Sequence, residues 1–333
     1  MIKVRLSNDS DRDAIIALAE TVFGRDTALV LDREWTWRWR EDPRLPAIGY
    51  NGLVADSKGR IVGSTALQPA GLWIDGRYLG GWWQVNTMVH PDFRRRGIAS
   101  LLNNQMPKDE VILGKDISAP MLVVLEKCGF QVVDTGGYWC KALNYAPRLS
   151  RLAGRFAGSI LGGIANLTLK RLPAVSPKIT PHNGDFDRQF NALWADVQKR
   201  YFAITCRDAQ TLTWRYRRRP GINYTVLTFK EGDYLRGYAV CCTYRRRGCL
   251  RGRIVDLLTG VEDDEARRGL LAGAISTLQE IGVDRVDCFF TSNSLLSVFK
   301  DLGFSPSFGK DQMVIRGADP KGLYLTAGDG DGH

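Results

Sequence analysis

The stretch VNTMVHPDFRRRGIASLL, residues 85–102, holds the densest set of chemically useful features in the chain. An apolar strand ends at Val89, Pro91 breaks it, and a loop rich in Arg and Gly leads into a helix. The opening turn of a helix carries N–H groups with no intrahelical acceptor and the positive end of the dipole. Gly97 lets the backbone approach a ligand closely, and Ala99 leaves the first turn uncluttered. Arg94, Arg95 and Arg96 add positive charge beside it. The combination suits a pyrophosphate; taken alone, RRRG is equally a solvated basic turn. Gln84 and Asn86 lie on the strand leading into the loop, where side chains alternate in direction. Neither is a base, but each can orient a water. Asp256, on the matching strand of the second half, is a candidate base if a cleft joins both halves; the competing reading is an internal ion pair with Arg253 or Arg215. His90, before Pro91, reads as structural, and Cys241-Cys242 read as buried strand thiols rather than nucleophiles.

The elements that position these residues occur twice. Trp37-Arg38-Trp39-Arg40 leads to Pro43 and Trp214-Arg215-Tyr216-Arg217 leads to Pro220, both pairs 177 residues apart. Gly63 answers Gly237, and LEKCGF (125–130) answers FKDLGF (299–304), both at an offset of 174. Ordered matches at nearly constant spacing indicate an internal repeat. In the first half a helix spans about 10–23, strands follow with turn signals at Asp56-Ser57-Lys58-Gly59 and Asp75-Gly76, a helix starts near Arg96, VILG is a strand, and Pro120 opens a helix that stops at Gly129. The second half predicts helix 185–200, strands 223–230, 234–245 and 250–259, helix 264–281, strand 285–290 and helix 293–302. Antiparallel strands followed by a helix–strand–helix unit make an α+β domain, built twice. The expected organisation is 1–145, a helical linker 146–182, 183–317 and a flexible polar tail 318–333.

The chain has 333 residues, 44% hydrophobic and 25% charged, enough for two cores and incompatible with general disorder. It lacks a run long and apolar enough for a spanning helix and an apolar leader at its start. Seven cysteines form no CxxC pair, and with three histidines they predict reduced thiols, no metal and a cytoplasmic setting. A net charge of +10 favours an anionic ligand without choosing among cofactor tail, acidic carrier protein, lipid or nucleic acid. Nucleic acid is disfavoured, because the Trp/Arg segments recur at the same place in both repeats, as packing elements do.

Arg94-Arg95-Arg96-Gly97-Ile98-Ala99 resembles the Arg/Gln-x-x-Gly-x-Gly/Ala signature of the GNAT N-acetyltransferase superfamily, with an apolar strand before it and LEKCGF resembling the late helix of that family. The resemblance covers about 1–145 through the motif and 180–317 through the repeat. It implies two tandem GNAT-like domains, each a mixed, mostly antiparallel twisted sheet flanked by helices. It further implies acetyl-CoA or another acyl-CoA, with pantetheine along the strand ending at Met88 and Val89 and pyrophosphate on Arg94, Arg95, Arg96, Gly97, Ile98, Ala99 and Ser100. The implied reaction is acyl transfer to the amine of a small molecule, such as a sugar or secondary-metabolite precursor. The alternatives are an acyl carrier protein or aminoacyl-tRNA donor, as in Fem-type proteins, and a non-catalytic CoA-binding regulator. The family's thiolate-protonating tyrosine has no counterpart: its positions fall near Leu125 and Phe299, leaving Tyr138 as a substitute if it folds back. The second copy departs further, with Glu262-Asp263-Asp264-Glu265 where the first has arginines, so it is not expected to hold CoA; Asn293 resembles an Asn that often precedes the late helix.

Between the copies, RLSRLAGRFAGSILGGIANLTLKRLP has apolar residues near helical spacing, basic flanks, and Gly154, Gly158 and Gly162 four apart. Packing across the two copies is the preferred reading over contact of 148–171 with a membrane surface.

Overall fold

Trp37 and Trp214, the residues that first mark the repeat, stack face to face with ring centroids 4.5 Å apart and planes 10° from parallel. Each indole N–H donates to the other's backbone carbonyl, at 2.8 Å from Trp37 and 3.0 Å from Trp214. Arg219 lies over the Trp37 ring and Arg44 over the Trp214 ring, each at 5.0 Å. Such reciprocal contacts arise across a two-fold axis, here a local one inside a single chain. The interleaved arginines and aromatics are therefore packing elements, and both segments are helical.

The computed structural model describes all residues except 1, 46–51, 134–136, 247, 293–294, 308–311 and 331–333. The first half runs β1 (Ile2–Leu6), α1 (Arg12–Phe23), α2 (Arg25–Arg33), α3 (Trp35–Trp39), β2 (Gly52–Ser57), β3 (Arg60–Ile74), β4 (Arg77–Val89), α4 (Ile98–Asn104), β5 (Ile112–Ile117), α5 (Ala119–Lys127), β6 (Gln131–Val133) and β7 (Tyr138–Ala142). A helical hairpin follows, α6 (Ala146–Ala153) and α7 (Arg155–Asn166). The second half comprises β8 (Ile179–His182), α8 (Arg188–Val197), β9 (Ala203–Thr205), α9 (Ala209–Tyr216), β10 (Tyr224–Glu231), β11 (Tyr234–Arg246), β12 (Cys249–Thr259), α10 (Asp264–Glu280), β13 (Arg285–Phe289), α11 (Leu296–Asp301), β14 (Ser305–Pro306), β15 (Gln312–Arg316) and β16 (Leu323–Tyr324). The expected α+β class holds: two mostly antiparallel sheets, each flanked by helices. Asp75-Gly76 makes the β3–β4 turn with both residues at positive φ, 48° and 69°, as a tight right-twisted hairpin requires.

The sheets correspond strand for strand, but they do not divide at the expected boundaries. Their orders are β1-β2-β3-β4-β5-β15-β6 and β8-β10-β11-β12-β13-β7-β14. Strand β7, from the first half, lies between β13 and β14 in the second sheet. Its counterpart β15, from the second half, lies between β5 and β6 in the first. The repeats thus exchange equivalent strands. The second half also supplies β9, which extends the first sheet along β3, and β16, which pairs with β9. Neither 1–145 nor 183–317 closes its own sheet. Consequently, proteolytic cleavage at Gly154, the exposed residue between α6 and α7, is expected to leave both fragments co-eluting on size exclusion; fragments that separate without denaturant would refute the exchange.

The tail departs most from expectation. Residues 318–333, predicted to be flexible, include Leu323, Tyr324, Leu325, Thr326, Ala327 and Asp329, all buried. Leu323, Leu325 and Ala327 join the core formed by α1–α3 on one face of the first sheet, while α4 and α5 cover the other face. The glycines and aspartates of AGDGDGH imply solvent only if the aspartates lack partners, and Asp329 has them. Among the described residues, no helix is long and apolar enough to cross a membrane.

Candidate functional site

Strands β4 and β5 run parallel and pair only at Trp82–Gln84 with Ile112–Gly114. Beyond that point both continue, β4 through Val85–Val89 and β5 through Lys115–Ile117, and they diverge. Two backbone irregularities produce the divergence. Asn86 takes a left-handed φ of 52°, and the β3–β4 register slips between Ser64–Met88 and Ala66–Val85, so one extra residue of β4 bulges. Asp116 takes φ of 58° in β5. Asn and Asp tolerate this conformation better than other non-glycine residues. From Val85 onward, the side of β4 that faced β5 has no strand beside it among the described residues.

The Arg-rich loop stands at the mouth of this wedge. Arg95 has φ of 62° and Gly97 φ of 77°, so the chain alternates in hand before entering α4. The first intrahelical bond runs from Leu101 N–H to Gly97 O at 2.9 Å, which leaves the N–H groups of Ile98, Ala99 and Ser100 without helical acceptors. Among the described residues, no side chain caps this end. Arg94, Arg95, Arg96 and Gly97 are all exposed, and a Cβ on Gly97 would meet nothing within 4 Å. Arg94 Nε donates to Val89 O at 3.3 Å and Arg96 Nη2 to Asp92 O at 3.0 Å; Arg95 makes no side-chain hydrogen bond among the described residues. His90 is structural: its Nδ1 accepts from Asp92 N–H at 3.3 Å and Arg60 sits 2.7 Å from its Nε2. Open amides, open space and three exposed guanidinium groups fit the diphosphate of an acyl-CoA.

The candidate side chains separate. Met88 is buried and Val89 half-buried on the free segment of β4. Gln84 is buried where pairing ends; its Nε2 donates to Thr87 Oγ1 at 2.9 Å and Thr65 Oγ1 at 3.3 Å, and its Oε1 is buried with no partner among the described residues. Asn86 is half-buried at the bulge, with no side-chain hydrogen bond among the described residues. Asp256 is not brought to this wedge. It lies in β12 of the other sheet, 0% exposed, and accepts from Arg207 Nε (3.2 Å), Thr326 Oγ1 (3.1 Å), Leu257 N–H (3.0 Å), Tyr216 OH (3.1 Å) and Tyr238 OH (3.0 Å). These five bonds exhaust a carboxylate's acceptor sites, so Asp256 is a structural ion and the expectation of a base is corrected. Its partner is Arg207, not Arg253 or Arg215. The thiols of Cys241 and Cys242 are pushed up by burial, to about 12 and about 11, which removes them as nucleophiles. Asn293 lies outside the described residues.

Two polar groups at the β5 side of the wedge, Lys115 and Asp116, escaped the sequence reading, and they meet there the Tyr138 that it named. Tyr138, on the exchanged strand β7, donates to Asp116 Oδ1 at 3.3 Å. Lys115 Nζ donates to the carbonyls of Ala327 (3.0 Å) and Asp329 (3.1 Å), tying the tail to the diverging end of β5. The available signal was Lys115-Asp116 interrupting the apolar run VILG…I, where a buried strand has no use for charge.

The second copy has the same wedge, filled from within. β12 pairs with β13 only as far as Ile254–Cys288 and then diverges. Its free carbonyls are all taken: Val255 O by Gly328 N–H (2.7 Å), Leu257 O by Tyr324 OH (2.5 Å) and Thr259 O by Tyr201 OH (2.9 Å). The tail pairs on its other side with Phe290 and Thr291. The helix start is closed as well. The Asp263 carboxylate accepts from Ala266 N–H at 3.0 Å and from Arg236 Nη2 at 2.7 Å. Arg267 donates to the Gly260 and Val261 carbonyls. A carboxylate of the chain's own thus caps the helix start that the first copy leaves open.

Residues 3–109 match the acetyltransferase (GNAT) domain family. No curated protein matches the chain. Among solved structures, N-myristoyltransferase of Saccharomyces cerevisiae with bound myristoyl-CoA superposes at a TM-score of 0.66, with 13% identity, 96% of this chain and 84% of that one covered. A GCN5-related N-acetyltransferase from Anabaena variabilis gives 0.64 with 13% identity over 95% and 72%. Eis1 from Mycobacterium abscessus gives 0.55 with 14% identity over 95% and 73%.

Proposed function

From the premise that residues 3–109 belong to the acetyltransferase (GNAT) domain family and that the whole chain folds as a tandem GNAT protein, we propose that it transfers acetyl, or another acyl group, from CoA to the amine of a small molecule. The observation that carries this reading is the open β4–β5 wedge beside Arg94–Ser100, present in the first copy and plugged in the second. Myristoyl-CoA bound to one structural neighbour supports an acyl-CoA donor.

Bound acyl-CoA supplies an activated thioester. The amides of Ile98, Ala99 and Ser100 and the guanidinium groups of Arg94–Arg96 hold its diphosphate, and the free edge of β4 at Met88 and Val89 aligns the pantetheine as an added strand would. A backbone N–H on that edge polarises the thioester carbonyl, which is worth most where water is excluded. The acceptor amine must arrive neutral; its nitrogen bonds to the acyl carbon, the C–S bond breaks, and the proton lost by nitrogen ends on the thiol. Gln84 and Asn86 orient the water or acceptor at the bulge. Tyr138, held by Asp116, is the hydroxyl available on the β5 side.

Calorimetry with acetyl-CoA and a thiol-release assay over an amine panel test the proposal. Binding at one site per chain with turnover on at least one amine is expected. Absence of CoA binding favours a carrier-protein or aminoacyl-tRNA donor; binding with no turnover across the panel favours a regulatory role.

A further inference from the structure

The hairpin α6–α7 is built inside out. The helices meet through glycine: a Cβ on Gly158 would stand 2.2 Å from Ser150 Cα, and one on Gly162 would stand 2.3 Å from Ala146 Cα. Close backbone approach through small residues four apart is how helices associate when side-chain burial from water does not drive them. The large apolar side chains point away from the contact. Leu152 is 75% exposed, Phe156 83% and Leu167 85%, with Ile160, Leu161 and Ile164 about half exposed. This corrects the expectation that the segment packs across the two copies. The base of the hairpin is clamped: Asn166 Oδ1 accepts from Tyr145 N–H at 2.8 Å, and Asn166 Nδ2 donates to Asn144 Oδ1 at 3.0 Å. Its exposed face is thus presented as a unit.

The charge carried by the hairpin segment itself has one sign. Residues 146–171 contain Arg148, Arg151, Arg155, Lys170 and Arg171 and no acidic residue. The β11–β12 turn adds to it, since the Arg151 guanidinium lies 3.4 Å from where a Cβ on Gly248 would stand, and Arg245 and Arg246 beside that turn are exposed. An apolar surface rimmed by cations matches an anionic lipid bilayer, whose headgroups take the arginines while the acyl boundary takes Leu152, Phe156, Ile160 and Ile164. At 12 residues α7 is about 18 Å long, well short of the roughly 30 Å hydrocarbon core, so the hairpin lies at the interface and does not span.

We propose that α6–α7, with Arg245 and Arg246, docks the protein on an anionic membrane surface. The test is co-sedimentation of the full chain with phosphatidylcholine vesicles and with phosphatidylcholine–phosphatidylglycerol vesicles, at low and high salt. Binding is expected to the mixed vesicles only and to weaken with salt. Leu152→Ser combined with Phe156→Ser removes two exposed anchors and should weaken binding at least about tenfold. Arg151→Glu combined with Arg155→Glu should do so to a similar degree. All four side chains are exposed, so circular dichroism and CoA affinity should be unchanged in both variants. Absence of vesicle binding, or binding retained by both variants, overturns the proposal. So does self-association in solution that the apolar variant abolishes, which would make a second copy the occupant of this face. The failure of acyl transfer would leave these readouts untouched.

Discussion

Replacing Asp329 by alanine is expected to lower the unfolding free energy by about 3–5 kcal/mol, although only four residues follow it in the 333-residue chain. Arg207 is completely buried and Arg215 nearly so, and two carboxylates, Asp256 and Asp329, balance them. Asp329 accepts from Arg207 Nη2 at 2.7 Å, from Thr326 N–H at 2.8 Å, from Arg215 Nη1 at 3.4 Å and from Thr205 Oγ1. Its removal strands a buried cation, which costs far more than the pair contributes against an apolar substitute. Urea unfolding checks this through a lower midpoint at unchanged slope. Burial alone would raise the Asp329 carboxyl, but the charges of Arg207 and Arg215 hold it well below the ordinary range. A carboxyl depressed in the native state stabilises above its unfolded value of about 3.9 and loses that contribution as pH falls toward the native value. The gap between wild type and D329A should therefore be complete at neutral pH and narrow below about pH 4. A gap that widens on acidification, or a stability loss under 1 kcal/mol (about fivefold in the folding equilibrium), would contradict the network.

Reversing Arg94 and Arg96 together, R94E/R96E, is expected to weaken acetyl-CoA by about 100-fold or more, since two charge-assisted contacts of roughly 1.5 kcal/mol each are lost and repulsion replaces them. Both side chains are exposed and hydrogen-bond only to backbone carbonyls, of Val89 at the end of β4 and of Asp92, so the fold should survive. The control is Arg268→Glu in the second copy, where the guanidinium pairs with Asp301 at 2.7 Å on an exposed surface and the helix start is already occupied by Asp263; its CoA affinity should stay within about twofold. Gly97→Val attacks the same cradle through the backbone. Space is open around Gly97, but φ of 77° is strained for a β-branched residue and should disturb the amides of the loop. Equal losses from the two copies would refute the asymmetry.

The local elements were legible because their signals are local. Asp75-Gly76 can only turn a hairpin tightly, Pro120 and Gly129 bracket α5 to within two residues, and the Trp/Arg doublets marked the repeat that proved to meet at Trp37 and Trp214. The loop 94–100 was legible for the same reason. What escaped was non-local. Nothing in YWCKA or QMVIR says which of two similar sheets each strand will join, since each sheet takes an antiparallel strand at the corresponding place. The tail read as solvent-exposed because its aspartates and glycines were weighed without Arg207, more than a hundred residues away. Asp256 illustrates the converse: its carboxylate in an apolar strand was singled out as a candidate base, and the five donors that converge on it make it a buried ion-pair partner instead.

The exchange of β7 and β15 bears on how such a chain could arise. Two identical subunits that trade a terminal strand form a closed pair whose contacts are mutual, as those of Trp37 and Trp214 still are. Joining the end of one subunit to the start of the other freezes that pair into a single gene product. Thereafter the subunits need no longer be equal, and one cleft can be surrendered to anchoring the shared carboxyl-terminal segment while its twin stays open. A chain of this ancestry keeps the stability of a dimer at any dilution, because its partner is never lost.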